Sequence, residues 1–303
     1  MIEAGALERE PSPDDFLHRF RLENAGVRGA LVRLDRTWQR VNANGDYDAA
    51  LADLLGRTLA ASALFTGTIK FQGRLSIHVR HSGALRLLFA ECTDKGELRG
   101  IARADAALPD AQPKLQPGAQ LAITIENAAT DSRYQGLVAV ESDDLERAFE
   151  GYFERSEQLP TRIVLASAGN RCGGILLQQI AGTGGAPMGD VDGWNRVGHL
   201  LATLTTPELL ELAPQDILLR LFHDEAVRMQ PAQPLSFACT CSRERVAEML
   251  RSLGRAESDS VIAEQGSVET TCEFCNRRYV FDAADIDSVF ADVGADATPT
   301  TRH

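Results

Sequence analysis

The sequence predicts an α+β protein with a mostly antiparallel N-terminal sheet and packed helices, a helical linker and a small C-terminal zinc-binding domain. Three patterns support this fold class. Apolar residues recur at helical spacing between Leu51 and Leu64, and they alternate with a period of two between Phe71 and Val140. Four of the six cysteines form two tight pairs near the C-terminus.

The first predicted domain covers residues 1–182. Asp46 or Asp48 is placed to cap a long buried helix, and residues 71–140 contain five alternating segments separated by Gly, Asp and Pro turn signals. Residues 143–160 follow as an amphipathic helix. The segment "TRIVLASAGNRCGGILLQQI" (161–180) then predicts two strands joined by a Gly/Asn turn.

Residues 183–234 form the predicted helical linker, without strands of its own. The chain around 181–193 is rich in glycine and predicts a loop or hinge, and Thr205 or Thr206 before Pro207 marks a helix start. Leucines cluster at helical spacing up to Phe222. Two interpretations of this segment stay open, a permanent part of the core or a metastable layer that can leave it.

The cysteine pairs define the third predicted domain, residues 235–292, ahead of a disordered tail at 293–303. Cys239 and Cys241 are one residue apart and Cys272 and Cys275 two apart, with about thirty residues between the pairs. Two close cysteine pairs can supply the four thiolates of a tetrahedral zinc site. Between the pairs we expect a short helix ending at Gly254, and after them a strand at 279–281 and a helix around 286–290.

Composition narrows the classes of function. The chain has 303 residues and a net charge of −12, with no uninterrupted apolar stretch of membrane-spanning length and an acidic N-terminus unlike a secretory signal. We therefore expect a cytoplasmic protein that binds neither membranes nor nucleic acid. The charge of the last predicted domain also disfavours nucleic-acid binding, because residues 235–303 carry seven arginines against twelve acidic residues.

Catalytic motifs are absent from the sequence. It contains no G-x-S-x-G, no P-loop, no dinucleotide-binding fingerprint and no H-E-x-x-H, so we expect no enzyme. An enzyme within the sheet domain is the remaining alternative. Cys92 and Cys172 belong to no motif and are expected to be inert core residues.

Three roles are consistent with the spacing of the four cysteines. A static structural zinc ribbon is one. A thioredoxin-like C-x-x-C is the second, although its βαβ context is missing here. The third is a releasable zinc, because zinc contributes on the order of 10–16 kcal/mol where the core of so small a domain contributes roughly 3–5 kcal/mol. A disulfide across C-x-C is expected to be strained and reducible, which favours the third role.

Several segments resemble the redox-regulated molecular chaperones of the heat-shock 33 kDa family. They are "ENAGVRG" (23–29), "RYQGLV" (133–138), "YFERSEQLPTRI" (152–163), "LLRLFHDE" (218–225), "CTCSRER" (239–245) and "CEFC" (272–275). The resemblance implies an ATP-independent holdase of the stress response, inactive when reduced and bound to one zinc per chain.

The resemblance also implies how activation proceeds. On oxidation, disulfides Cys239–Cys241 and Cys272–Cys275 would form, zinc would leave, and the zinc domain and then the linker would unfold. The exposed apolar surface would bind unfolding client proteins. The oxidised form would be a homodimer.

Overall fold

The computed structural model describes residues 15–106, 108, 115–116, 118–180, 190 and 192–291. The chain divides after Ala238 into two compact units. The predicted start of the zinc-binding domain at 235 therefore differs from the structure, which places residues 235–238 with the first unit. The predicted loop at 181–193 lies largely outside the described residues, and the predicted tail at 293–303 lies wholly outside them.

Runs of strands and runs of helices follow one another along the described chain, as is typical of an α+β protein. The strands are β1 (Phe16–Leu22), β2 (Val27–Leu34), β3 (Gly73–Ser82), β4 (Leu85–Thr93), β5 (Glu97–Ala104), β6 (Gln120–Asn127), β7 (Ser132–Ala139), β8 (Thr161–Ala168), β9 (Arg171–Gln179), β10 (Val227–Met229), β11 (Gln233–Pro234), β12 (Ser236–Phe237), β13 (Val268–Thr271) and β14 (Arg278–Phe281). The α-helices are α1 (Arg36–Asn42), α2 (Ala49–Thr68), α3 (Leu145–Tyr152), α4 (Gly193–Leu201), α5 (Thr206–Glu211), α6 (Pro214–Phe222), α7 (Arg243–Leu253), α8 (Arg255–Gln265) and α9 (Ala283–Ala291). The predicted α+β class is confirmed.

Two sheets build the described part of the first unit. One has the order β10-β1-β2-β9-β8, with β11 also pairing with β1, and the other has the order β12-β5-β4-β3-β6-β7. All pairings in them are antiparallel except that of β12 with β5. The five strands predicted between Phe71 and Val140 are β3 to β7, and they form the body of the second sheet.

Helix α2 lies in the core shared by both sheets. The Asp48 side chain accepts a hydrogen bond from the Leu51 backbone N–H at 2.8 Å, as expected for the cap of this helix. Residues of α2 pack together with residues of β2 and β9 from one sheet and β3, β4 and β6 from the other. By length and composition α2 could span a membrane, but most of it is buried inside the protein, which accounts for its apolar character.

The predicted turn between β8 and β9 is confirmed, with Gly169 at a φ of 56°. The amphipathic helix predicted at 143–160 is α3, which continues as one π-helical turn, Phe153–Glu157, and ends at Gln158 in a left-handed conformation. The hairpin β1–β2 was not predicted from the sequence. Six of the eight residues of β2 are buried, four of them consecutively from Gly29 to Val32 and therefore on both faces, so the strand lacks the alternation that would reveal it.

The described linker helices α4, α5 and α6 cover the first sheet. Their buried apolar residues form one cluster with residues of β1, β2, β8 and β9. The members from the helices are Val197, Leu201, Leu209, Leu210, Ile217, Leu218, Leu221 and Phe222. The prediction of a linker without strands is wrong at its C-terminal end, where β10 and β11 pair with β1.

Polar contacts also fix the linker to the sheet. The Arg33 Nη1 atom on β2 donates to the Leu212 carbonyl at 2.6 Å, at the C-terminal end of α5. The Arg196 guanidinium on α4 lies 2.6 Å from the carboxylate of Glu225, which is 1% exposed. Both residues of this ion pair belong to the linker, so the pair joins α4 to the chain that follows α6, whereas the Arg33 contact joins the linker to the sheet.

The second unit has a small core of its own. Seven of its described residues form the buried cluster: Ala247, Leu250, Val268, Tyr279, Phe281, Ile286 and Val289. The expected helix ends at Leu253 with Gly254 as its cap, and the expected strand and last helix are β14 and α9. Helix α8 was not predicted. Of its eleven described residues only Ser258 is buried, so it has no apolar stripe to read from the sequence.

We predict that Phe222→Ala loosens the linker, whereas Leu219→Ala, a matched change on the same helix, does not. Phe222 is fully buried and its ring stacks on Phe20, but Leu219 is 65% exposed. The first change should lower the free energy of unfolding by about 3–5 kcal/mol, and the second by less than about 0.5 kcal/mol. Urea unfolding followed by tryptophan fluorescence measures both, and equal small losses would contradict the docked position of α6.

Candidate metal centre

The first cysteine pair lies just before helix α7. The Ser242 hydroxyl caps this helix by accepting from the Arg245 backbone N–H at 3.3 Å. The Arg245 side chain turns back and donates to the Thr240 carbonyl at 2.7 Å, in the loop between Cys239 and Cys241. The short spacing is thus held by the first turn of the helix that follows.

The second pair lies in the turn that joins β13 to β14, whose register runs from Val268↔Phe281 to Thr271↔Arg278. The Cys272 backbone N–H donates to the Arg277 carbonyl at 2.9 Å, and the Asn276 N–H donates to the Cys272 carbonyl at 2.8 Å. Asn276 has a φ of 56°. Asparagine tolerates this left-handed conformation better than most residues, so the turn can bring both sulfurs to one side.

The four sulfur atoms converge. Cys239 Sγ lies 3.6 Å from Cys272 Sγ, Cys241 Sγ lies 3.3 Å from Cys275 Sγ, and all four lie within 4.8 Å of one another. A tetrahedral site with bonds of about 2.3 Å has sulfur–sulfur edges of about 3.8 Å. The cluster therefore has the donors and the size for one metal ion, and all four cysteines are partly exposed.

Electrostatics makes this cluster hard to ionise by itself. Burial raises the pKa of the Cys239 thiol to about 11, with the hydrogen bonds that this thiol donates to neighbouring cysteines adding to the rise, and burial also raises the pKa of Cys275. The pKa of Cys241 is lowered to about 7 because the hydrogen bonds from Tyr279 and the other cysteines outweigh its burial. Four adjacent thiolates repel one another, so a cation is needed to hold all of them ionised.

Hydrogen bonds to the sulfurs differ in kind. Cys239 accepts one from the Cys241 backbone N–H, and Cys275 accepts one from the Arg277 backbone N–H. Cys241 instead accepts from the phenol hydroxyl of Tyr279, at an oxygen–sulfur distance of 3.1 Å. From its position in the sequence, Tyr279 is predicted only as a strand residue. Tyr279 follows the second cysteine pair closely and lies two residues before the buried Phe281. This period-two spacing in a strand was the sequence signal that its side chain faces the cluster.

The two other cysteines take no part in the cluster. Cys92 on β4 and Cys172 on β9 are buried in the first unit, 1% and 0% exposed. Burial raises the pKa of Cys92 to about 12 and that of Cys172 as well. Such thiols are poor nucleophiles, which supports the prediction that they are inert core residues.

Comparison with known proteins extends these findings. The family model described as "Hsp33 protein" matches residues 15–282. The chain is 46% identical over 295 residues to the "33 kDa chaperonin" of Ectopseudomonas mendocina, covering 96% of this chain and 100% of that protein. It is 40% identical over 290 residues to that of Nitrosococcus oceani, covering 95% and 99%.

A solved structure shares the fold. It is the crystal structure titled "33 kDa chaperonin (Heat shock protein 33 homolog)" from Thermotoga maritima, with a TM-score of 0.78 and 19% identity, covering 93% of this chain and 100% of that one. An α+β unit followed by a four-cysteine unit, in a chain whose relatives are named chaperonins, places the protein in a family of molecular chaperones. The chain belongs to the Hsp33 family.

We predict that replacing any one of the four clustered cysteines by serine weakens metal binding. A hydroxyl is a far poorer ligand than a thiolate, so Cys239→Ser should lower zinc affinity by more than about 100-fold. Metal analysis and competition with a chromogenic chelator give the result. The control Cys92→Ala, in the other unit, should keep the full metal content, and a fully loaded Cys239→Ser protein would remove Cys239 from the ligand set.

Proposed function

We propose that this chain is a redox-regulated, ATP-independent holdase of the cytoplasm that protects unfolding proteins during oxidative and heat stress. In the proposed resting state one Zn²⁺ is bound by Cys239, Cys241, Cys272 and Cys275, and the protein is inactive. Oxidation forms disulfides, releases zinc, and unfolds the second unit and then the linker. The observation that carries the proposal is the convergence of four partly exposed sulfurs within 4.8 Å.

Zinc is the metal that this donor set favours. Four thiolates in a tetrahedral arrangement bind zinc or an iron–sulfur centre, and a sulfur–sulfur distance as short as 3.3 Å suits a single ion. A seven-residue core among the described residues of the second unit contributes little beside the roughly 10–16 kcal/mol of a structural zinc site. Loss of zinc would therefore unfold the second unit.

A hydroperoxide is a sufficient oxidant for the proposed switch. Each disulfide forms when one thiolate attacks a peroxide oxygen and releases hydroxide, after which a second thiolate displaces hydroxide from the sulfenic acid. Two molecules of hydrogen peroxide convert four thiolates and their zinc into two disulfides, Zn²⁺ and four hydroxide ions. Metal and redox state are thus coupled by the same four sulfurs.

The proposed disulfides are Cys239–Cys241 and Cys272–Cys275. The closest sulfur contacts are instead between the pairs, Cys239 with Cys272 and Cys241 with Cys275, which are 33 and 34 residues apart in the chain. In the unfolded, oxidised product, disulfides that close such long loops would cost about 2 kcal/mol more each in chain entropy than disulfides that close the short ones. Chain entropy thus supports pairing within each motif.

The linker supplies the proposed client-binding surface. Undocking of α4, α5 and α6 would expose their own leucines and the sheet residues beneath them, among them Leu31, Ile175 and Leu177, each at most 1% exposed in the docked form. A contiguous apolar surface of this kind marks a protein-binding site. Unfolded clients, which expose apolar side chains, are its chemical match.

The linker helices depend on the sheet for their stability. They contain nine, six and nine residues, shorter than helices that persist alone in water. Charged residues such as Glu211, Asp216 and Arg220 interleave with the leucines and would keep the undocked segment soluble. The proposed active form is a homodimer, binds no nucleic acid or membrane, and uses no nucleotide.

We predict that warming the zinc-bound protein with peroxide converts it from inactive to active, because zinc loss removes more free energy than the small core supplies. Light scattering of a thermally unfolding client should fall with the oxidised protein and stay high with the reduced one. Zinc release, thiol loss and peptide mapping of the disulfides are measured on the same samples. Equal suppression by both forms would indicate a constitutive, static zinc-ribbon protein instead.

We further predict which regions open. Hydrogen exchange of the oxidised protein should show residues 195–290 losing protection together, because the linker and the second unit lack independent stability. Strands β3 to β7, between Gly73 and Ala139, should keep theirs, since α2 and both sheets enclose their core. Linker helices that stay as protected as β3 would locate the client surface elsewhere.

A further inference from the structure

One side chain outside the ligand set contacts the cluster from a fixed position. Tyr279 is 7% exposed, belongs to the core of the second unit, and donates its hydroxyl proton to Cys241 Sγ at 3.1 Å. Its hydroxyl in turn accepts a hydrogen bond from the Arg277 guanidinium. A chain of two hydrogen bonds therefore leads from a cation to one of the four sulfurs.

The strand fixes this contact. Tyr279 pairs with Thr270 on β13, and two residues later Phe281, which is 1% exposed, anchors the same inner face of β14. The Arg243 guanidinium lies 4.1 Å from the Phe281 ring centre and donates to the Val280 carbonyl at 2.8 Å, which ties the strand to α7 and hence to Cys241. Packing of the strand therefore fixes the position of the phenol hydroxyl beside the sulfur.

We propose that Tyr279 is a positioning residue that slows the oxidation of Cys241 and so sets the peroxide threshold of the switch. This inference rests on the proposed zinc–thiolate function. A hydrogen bond to a thiolate withdraws electron density from sulfur, so the sulfur attacks a peroxide oxygen more slowly. The proton donor also occupies one face of the sulfur that an oxidant must approach.

Cys241 differs from its neighbours in that its donor can be removed. The N–H groups that donate to Cys239 and Cys275 belong to the backbone, and only a proline, which also restricts the chain, would delete them. Tyr279→Phe removes one oxygen and keeps the ring that packs against Val268 and Phe281 in the same core cluster. The substitution therefore separates the hydrogen bond from the packing.

The test compares zinc-loaded Tyr279→Phe with wild type and with Tyr134→Phe, a half-exposed tyrosine on β7 of the other unit. Under excess hydrogen peroxide, Tyr279→Phe should release zinc about three- to tenfold faster, and Tyr134→Phe should match wild type. Iodoacetamide labelling read by mass spectrometry should show that the reactivity of the sulfur increases at Cys241 and not at Cys275. Zinc loss to a chelator without peroxide, and the thermal midpoint of the reduced protein, should stay unchanged.

Each other outcome overturns the inference in a distinguishable way. Equal peroxide rates in zinc-loaded wild type and Tyr279→Phe would remove Tyr279 from the switch and leave the proposed function standing. Zinc loss that is equally accelerated with and without peroxide would make the residue a structural support only. A wild-type protein that binds no zinc would overturn the proposed function, and this inference with it.

Discussion

Four sulfurs confined within 4.8 Å are the constraint on which the second unit depends. Their thiolates repel one another, and two of the free thiols have pKa values well above neutrality, so only a bound cation holds the whole set ionised. The core around them is too small to hold the unit folded alone. A chemical change at sulfur is therefore also a change in folding free energy, which is the physical basis of the proposed switch.

In the first unit, the linker helices and the sheet that they cover also depend on each other for stability. Helices α4, α5 and α6 are too short to persist alone, and the face of the first sheet that they cover is too apolar to remain uncovered. Each stabilises the other through the leucine cluster and the Arg33 contact with α5, and the ion pair between Arg196 and buried Glu225 joins two parts of the linker itself. The body of the unit, two sheets around α2, has a separate core and does not need the linker to form it.

Much of the fold was predictable from local sequence patterns. The cap at Asp48, the alternation in β3 to β7, the Gly169 turn and the helix ending at Gly254 follow from interactions within a few residues, which sequence spacing encodes directly. The hairpin β1–β2 was not predicted because burial on both faces of β2 removes the apolar–polar alternation. Helix α8 was not predicted because almost none of its surface is buried, so it has no apolar stripe. Strands β10 and β11 were not predicted because strands of two or three residues are specified by pairing with β1 and not by their own residues.

The sequence by itself determined the ligand chemistry of the candidate site, because two close cysteine pairs offer four soft donors whatever fold joins them. Only the tertiary structure decided that Cys239 lies beside Cys272 and Cys241 beside Cys275, and that the Tyr279 phenol reaches one sulfur alone. It also decided that the described linker helices cover the first sheet. Such contacts join residues that are tens to hundreds of positions apart, and they depend on strand register and packing, which no local spacing encodes.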